Sequence, residues 1–277
     1  MRDEVLITLT DVTKKFNKAT ILNGINLSIN KGQSVALVGN NGVGKSTLLR
    51  MIAGLSRVTA GSISHHSSLL FHYVPEHFPR NKLTVMQYLD LVGRIDEMGS
   101  NTRRERIETL LKDFFMEQMT DTPLNYLSKG SLQKVNVIQA LLRTPDVLLL
   151  DEPLSGQDAN SQRVFIAKMN DLLARGVTII MSCHEKYLMN EISDTIIEIK
   201  DQKIEVVQHK KDEISERYVL VFTDEKGGLV LPKFGFPMNR DDHLIKLYVD
   251  QGHTDEVIGE MMTHGWSLRS MYHEKNN

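Results

Sequence analysis

The residues with the clearest chemistry are Gly39-Asn40-Asn41-Gly42-Val43-Gly44-Lys45-Ser46-Thr47, which follow the apolar run Ser34–Val38 and open a helical pattern. Glycines at this spacing let the backbone curl until successive N–H groups face one point, and the helix start adds positive potential. Such a loop suits phosphate oxygens. Lys45 is expected to reach the outer phosphates of a nucleotide as a point charge, Ser46 to ligate Mg²⁺, and Thr47 to add a phosphate hydrogen bond. The second group is Val147-Leu148-Leu149-Leu150-Asp151-Glu152-Pro153, an apolar strand that ends on two carboxylates where open α/β sheets place ligands. Asp151 is expected to hold Mg²⁺, directly or through water, and Glu152 to polarise an attacking water. An acidic pair after a strand is, alone, commonly a solvated strand end. Its order behind a phosphate loop argues for chemistry instead.

These groups need a scaffold that brings strand ends together. Apolar, β-branched runs at Val5–Leu9, Ile25–Ile29, Val35–Val38, Leu69–Val74, Val147–Leu150, Val177–Met181 and Thr195–Ile199 read as strands. Helical periodicity fits Lys45–Ala53, Val85–Ile95, Arg103–Phe115, Leu132–Leu142 and Gln162–Ala174. Alternating strands and helices predict a layered α/β fold, and the runs without a polar face predict central parallel strands. The mostly helical stretch at about 77–145 reads as a helical subdomain inserted in a domain spanning 1–210. The charged Gln208–Arg217 reads as a linker, and 211–277 as a small C-terminal α/β domain with strands Tyr218–Phe222 and Leu244–Val249 and a helix near Thr254–His264. Trp266, Phe234 and Phe236 are expected in its core.

Between and after the two motifs the chain resembles the ABC (ATP-binding cassette) ATPase family. Leu127-Ser128-Lys129-Gly130-Ser131, whose Ser128 stands 23 residues before Asp151, is similar to that family's signature Leu-Ser-Gly-Gly-Gln. Leu154-Ser155-Gly156-Gln157-Asp158 resembles its D-loop, His184 its switch histidine, and Phe16 its adenine-stacking aromatic. Tyr73-Val74-Pro75-Glu76 occupies the place of its Q-loop. Over about residues 3–208 the resemblance implies a P-loop NTPase (RecA-like) α/β core and an ATPase that uses ATP and Mg²⁺. It implies Glu152, His184 and Lys45 as catalytic residues and Ser46, Asp151 and Glu76 as metal ligands. Phe16, Gly39 through Thr47, Glu76, Ser128, Gly130 and Asp158 are the implied nucleotide contacts. It further implies a head-to-tail pair, homodimer or heterodimer, with each ATP between one copy's loop and the other's signature. Ser128 read alone is an ordinary N-cap, and Asp158 a turn-stabilising aspartate.

Four departures bear on rate. Glu76 stands where the family carries glutamine, which adds a negative charge beside metal and phosphates. Lys129 replaces a signature glycine and Ser131 its glutamine, while Gln157 replaces the leucine of the D-loop. His65, His66, His72 and His77 lack a metal-ligand pattern, and Cys183 beside His184 reads as a packed thiol rather than a nucleophile.

The remaining bounds concern setting. A chain of 277 residues with one cysteine, 25% charged and 41% hydrophobic, has ordinary globular composition and no internal disulfide. A net charge of −2 gives no reason to expect nucleic acid. The acidic start Met1-Arg2-Asp3-Glu4 predicts no secretory leader, and no apolar run reaches the ~18 residues of a membrane span. The expectation is an ATPase at the cytoplasmic face of the membrane, working with a separate permease chain. The 83-residue interval from Lys45 to Ser128 and the C-terminal domain look most like exporter ATPases. A non-transport ABC ATPase is the alternative, and a small-molecule kinase would not need Leu127–Ser131 or His184.

Overall fold

Every residue of Val147–Asp151 and Thr178–Ser182 is buried in the structure, a computed structural model, so both runs need cover on two faces. The structure describes residues 4–17, 19–66, 68–207, 217–224, 229, 231–232, 238–241, 243–250 and 253–273. The start Met1–Asp3, the linker residues 208–216 and Phe234 and Phe236 lie outside them. The two buried runs are β6 and β7, neighbours in a six-stranded sheet. Its order is β5 (Phe71–Val74), β6, β7, β3 (Ser34–Val38), β8 (Thr195–Lys200), β9 (Lys203–Val207). All pairs are parallel except β8 with β9, which a tight turn through Asp201 and Gln202 at positive φ folds back.

A second, antiparallel sheet has the order β2 (Ala19–Asn30), β1 (Val5–Phe16), β4 (Ala60–His65). Helix α1 (Lys45–Ile52) buries Leu48, Leu49 and Ile52 in one cluster with Ile7, Leu9, Leu22 and Ile25 of this sheet. Val35, Leu37, Leu149 and Ile180 of the large sheet complete that cluster. The other face of the large sheet packs on α5 (Ala159–Ala174) and α6 (Lys186–Ile192) through Phe165, Met169 and Leu188. Between β5 and β6 the chain forms α2 (Val85–Ile95), α3 (Ser100–Asp113) and α4 (Lys129–Ala140), whose Leu89, Leu110, Val135 and Ile138 join the same cluster. Helix α2 begins on a capping box, with Thr84 accepting from the Gln87 N–H and Gln87 reaching back to the Thr84 N–H.

The chain divides into two compact units, Met1–His209 and Lys210–Asn277. In the second, β10 (Arg217–Thr223), β11 (Met238–Asp241), β12 (Leu244–Asp250) and β13 (Ser267–His273) form a sheet of order β11-β12-β10-β13. All its pairs are antiparallel, and among the described residues one helix packs on the strand layer. Helix α7 (Thr254–Thr263) sets Val257 and Met261 against Leu220, Phe222 and Ile245, with Trp266 buried in the same core.

The structure differs from the sequence reading where burial is one-sided or slight. Strands β1 and β2 run for 12 residues each, beyond the apolar runs, because pairing with each other extends them through exposed positions. Strands β4, β9 and β13 are mostly exposed, so no apolar alternation announced them. Helix α4 starts at Lys129 rather than Leu132 because Ser128 caps it.

Candidate active site

The chain leaves β3 at Val38 and turns through Gly39–Gly44 before α1 begins. Gly39 has φ 140°, and a Cβ there would come within 2.5 Å of the Ile199 carbonyl oxygen, so the turn needs glycine. The Lys45 ammonium folds back over the loop and donates to the carbonyls of Gly39 at 2.8 Å and Asn40 at 3.3 Å. One residue on, Ser46 Oγ donates to Asp151 Oδ1 at 3.0 Å, joining the first turn of α1 to the end of β6.

Asp151 is buried, which is costly for a charge without partners. Its carboxylate has two further donors: Ser182 Oγ reaches Oδ1 at 2.6 Å and Tyr73 OH reaches Oδ2 at 3.1 Å. Glu152 follows at φ 49°, unusual for an L-residue. Its N–H donates to the Ser182 carbonyl at 3.1 Å and lies 3.2 Å from Ser182 Oγ, which holds the turn. Glu152 Oε1 lies 3.1 Å from His184 Nε2, which is also 3.1 Å from Asn41 Oδ1 and 3.2 Å from Lys45 Nζ. Glu152, Asn41 and Lys45 thus converge on one ring nitrogen. Burial raises the Glu152 carboxyl above its ordinary range; His184 and Lys45 pull it back and Glu185 pushes it further up. A carboxyl of raised proton affinity against an imidazole is suited to take a proton from water.

A cavity of about 600 Å³ opens over these groups. Of the residues expected to contact nucleotide or metal, Phe16, Asn41, Gly42, Gly44, Lys45, Ser46, Thr47, Glu76, Asp151, Glu152 and His184 line it. Phe16 is 51% exposed at the end of β1, with the Lys14 ammonium 4.7 Å from its ring centre. Glu76 follows β5 on a loop, its carboxylate 3.7 Å from His77 Nδ1. Gly39 and Asn40 meet Lys45 through their carbonyls, and Val43 packs toward the core.

Ser128, Gly130 and Asp158 do not line this cavity. Ser128 Oγ accepts from the Ser131 N–H at 3.1 Å at the start of α4. A Cβ on Gly130 would lie 2.2 Å from the Gly156 carbonyl oxygen, so the signature turn packs directly on the D-loop backbone. Asp158 caps α5 through Ser161 and pairs with Lys134 Nζ at 2.8 Å. The Lys134 ammonium and the Ser161 N–H hold its carboxyl well below the usual range. Cys183 is buried, and its thiol is pushed up to about 12, chiefly by that burial.

Sequence reasoning missed Ile21, Ser155 and Glu185, which also line the cavity, and the Asp151 partners Tyr73 and Ser182. Tyr73 and Ser155 stood inside motifs read for other residues. Ser182 had no signal, because a serine at a buried strand end does not reveal its neighbour on the next strand. The donors Ser46, Asp151 and Glu76 are all oxygen, and one or two carboxylates with a hydroxyl fit Mg²⁺, which fills its shell with phosphates and water.

Comparison with known proteins bears on the family. A family model described as ABC transporter matches residues 22–155. The zinc import ATP-binding protein ZnuC of Halorhodospira halophila is 30% identical over 253 residues, covering 87% of this chain and 91% of that protein. The chain belongs to the ABC transporter ATP-binding family. This ABC ATPase also matches a solved ATP-binding subunit of an ABC transporter, with a TM-score of 0.69 at 25% identity over 74% of this chain and 90% of that one. The Nod factor export ATP-binding protein I of Ralstonia nicotianae is 29% identical, covering 76% of this chain and 68% of that protein. The expected preference for exporters is therefore not supported, because an importer by name matches over more of both chains than that exporter does. Among the described residues no helix is long and apolar enough to cross a membrane.

Proposed function

We propose that this ABC ATPase drives a separate membrane permease from the cytoplasmic face, closing as a head-to-tail pair on ATP. The observation that carries the reading is the convergence of Lys45, Ser46 with Asp151, and Glu152 with His184 over one cavity, while Ser128 and Gly130 stand off it. A half-site missing from its own cavity is what a second copy would supply. In this reading Phe16 stacks on the base, residues 39–47 wrap the phosphates, and Lys45 exchanges its loop carbonyls for phosphate oxygens. Ser46, Asp151 and Glu76 would hold Mg²⁺, which would supply charge neutralisation on the phosphates when bound. Glu152 takes a proton from the attacking water and His184 orients Glu152. Ser128 and the free N–H groups at the start of α4 meet the other copy's phosphates, and Asp158 lies at the seam. The pair is a homodimer or includes a sister chain. Uptake is the direction we favour, because the zinc importer matches over more of the chain than the Nod factor exporter.

The test has two arms. Glu152→Gln is expected to lower phosphate release by about 10² or more while leaving ATP bound. Equal rates for the two proteins sink the catalytic assignment. Detergent-solubilised membranes are expected to yield a polytopic protein with this chain, and recovery of the ATPase alone sinks the transport reading.

A further inference from the structure

We infer that Ser182 and Tyr73 are positioning residues that fix the Asp151 carboxylate, and through Ser182 the start of Glu152, so that together they set how tightly the site takes a divalent cation with its nucleotide. The inference rests on the metal role proposed above for Ser46 and Asp151.

Asp151 is 1% exposed, and its two oxygens receive hydroxyl protons from three separate elements. Ser46 from α1 and Ser182 from β7 meet Oδ1 at 3.0 and 2.6 Å, while Tyr73 from β5 meets Oδ2 at 3.1 Å. A carboxylate held at one oxygen still turns about its Cβ–Cγ bond; donors on both oxygens stop that rotation. Tyr73 has its proton aimed at Asp151 because its own oxygen faces the Arg50 Nε donor at 3.4 Å. Ser182 is fully buried. It gives its single proton to Asp151, and its oxygen faces the Glu152 N–H at 3.2 Å. One hydroxyl thus ties the orientation of the first carboxylate to the backbone of the second. Ser46 would share its oxygen with the cation, whereas Ser182 and Tyr73 keep their whole hold on Asp151. Groups that orient a ligating carboxylate in this way typically carry 10–100-fold of metal affinity, by the general behaviour of such outer partners.

The experiment measures binding of a fluorescent ATP analogue to the full chain as Mg²⁺ is titrated, with a parallel measurement in chelator. Ser182→Ala and Tyr73→Phe are each expected to raise the Mg²⁺ midpoint severalfold, and the double variant by roughly tenfold or more. Binding in chelator is expected to stay at the wild-type value, while the unfolding temperature in chelator is expected to fall, because each variant takes a donor from the buried Asp151 carboxylate. Tyr73→Phe removes one oxygen from a half-buried ring and keeps the test open should Ser182→Ala fail to fold. A wild-type midpoint in the double variant overturns the inference, as does a fall in chelator binding matching the Mg²⁺ effect. Asp151→Asn separates the two levels. If it shifts the midpoint and the hydroxyl variants do not, only the clamp is wrong; if it shifts nothing, the metal site proposed above fails with it.

Discussion

Glu152 is held where burial opposes its charge more than His184 and Lys45 favour it. For an acid whose folded pKa lies above its unfolded value, the folded chain binds more protons between the two values, so stability falls as pH rises through that window. Glu152→Gln is therefore expected to unfold at a higher temperature than wild type at neutral pH. Below about pH 4, the ordinary carboxylate range, the gap is expected to close because both side chains are then neutral. Calorimetry across that range measures it, and a gap of the same size at every pH contradicts the account. Asp158 is the opposite case. Its carboxyl is held low by Lys134 and Ser161, so what it contributes is present above the ordinary carboxylate range and fades as pH falls through its lowered folded value.

At the scale of elements, the signature turn and the D-loop are one packed piece. Gly130 and the Gly156 carbonyl leave no room for a methyl group, and neither side of that contact is a side chain that can swing away. Gly130→Ala is expected to cost about 1–3 kcal/mol, the usual penalty for overpacking, as read by denaturant unfolding. It should also lower ATP turnover more than ATP binding, since Gly130 lies off the cavity that holds Lys45. Asp158→Ala is expected to lose about 1 kcal/mol from the missing cap of α5, and to leave the Lys134 ammonium, 11% exposed, without its 2.8 Å partner. Denaturant midpoints for the two variants compare these costs. An Asp158→Ala protein as stable as wild type would show that neither cap nor pair matters.

At the scale of the molecule, the two units each have their own apolar core, one around β6 and β7 and one around Leu220, Phe222 and Trp266. A chain ending at residue 209 is expected to bind an ATP analogue with wild-type affinity, because every residue of the cavity precedes that point. Titration of the truncated protein checks this, and a loss of binding there would mean that 210–277 supports the site.

The phosphate loop, the strand that delivers Asp151 and Glu152, and the Ser128 cap were legible because each depends on near neighbours. Glycines shape a turn locally, an all-apolar run has to be covered on both faces, and a serine caps the turn that follows it. Strands β4, β9 and β13 were not legible, since their largely exposed residues carry no pattern and only their partners make them strands. The same limit applies inside the site. Tyr73 and Ser182 lie 78 and 31 positions from Asp151 along the chain. Their hydroxyls meet its carboxylate because parallel β5, β6 and β7 end side by side. Spacing along the chain picked out residues that the structure gathers around one cavity, whereas strand order across the sheet decided which hydroxyls hold Asp151 in place.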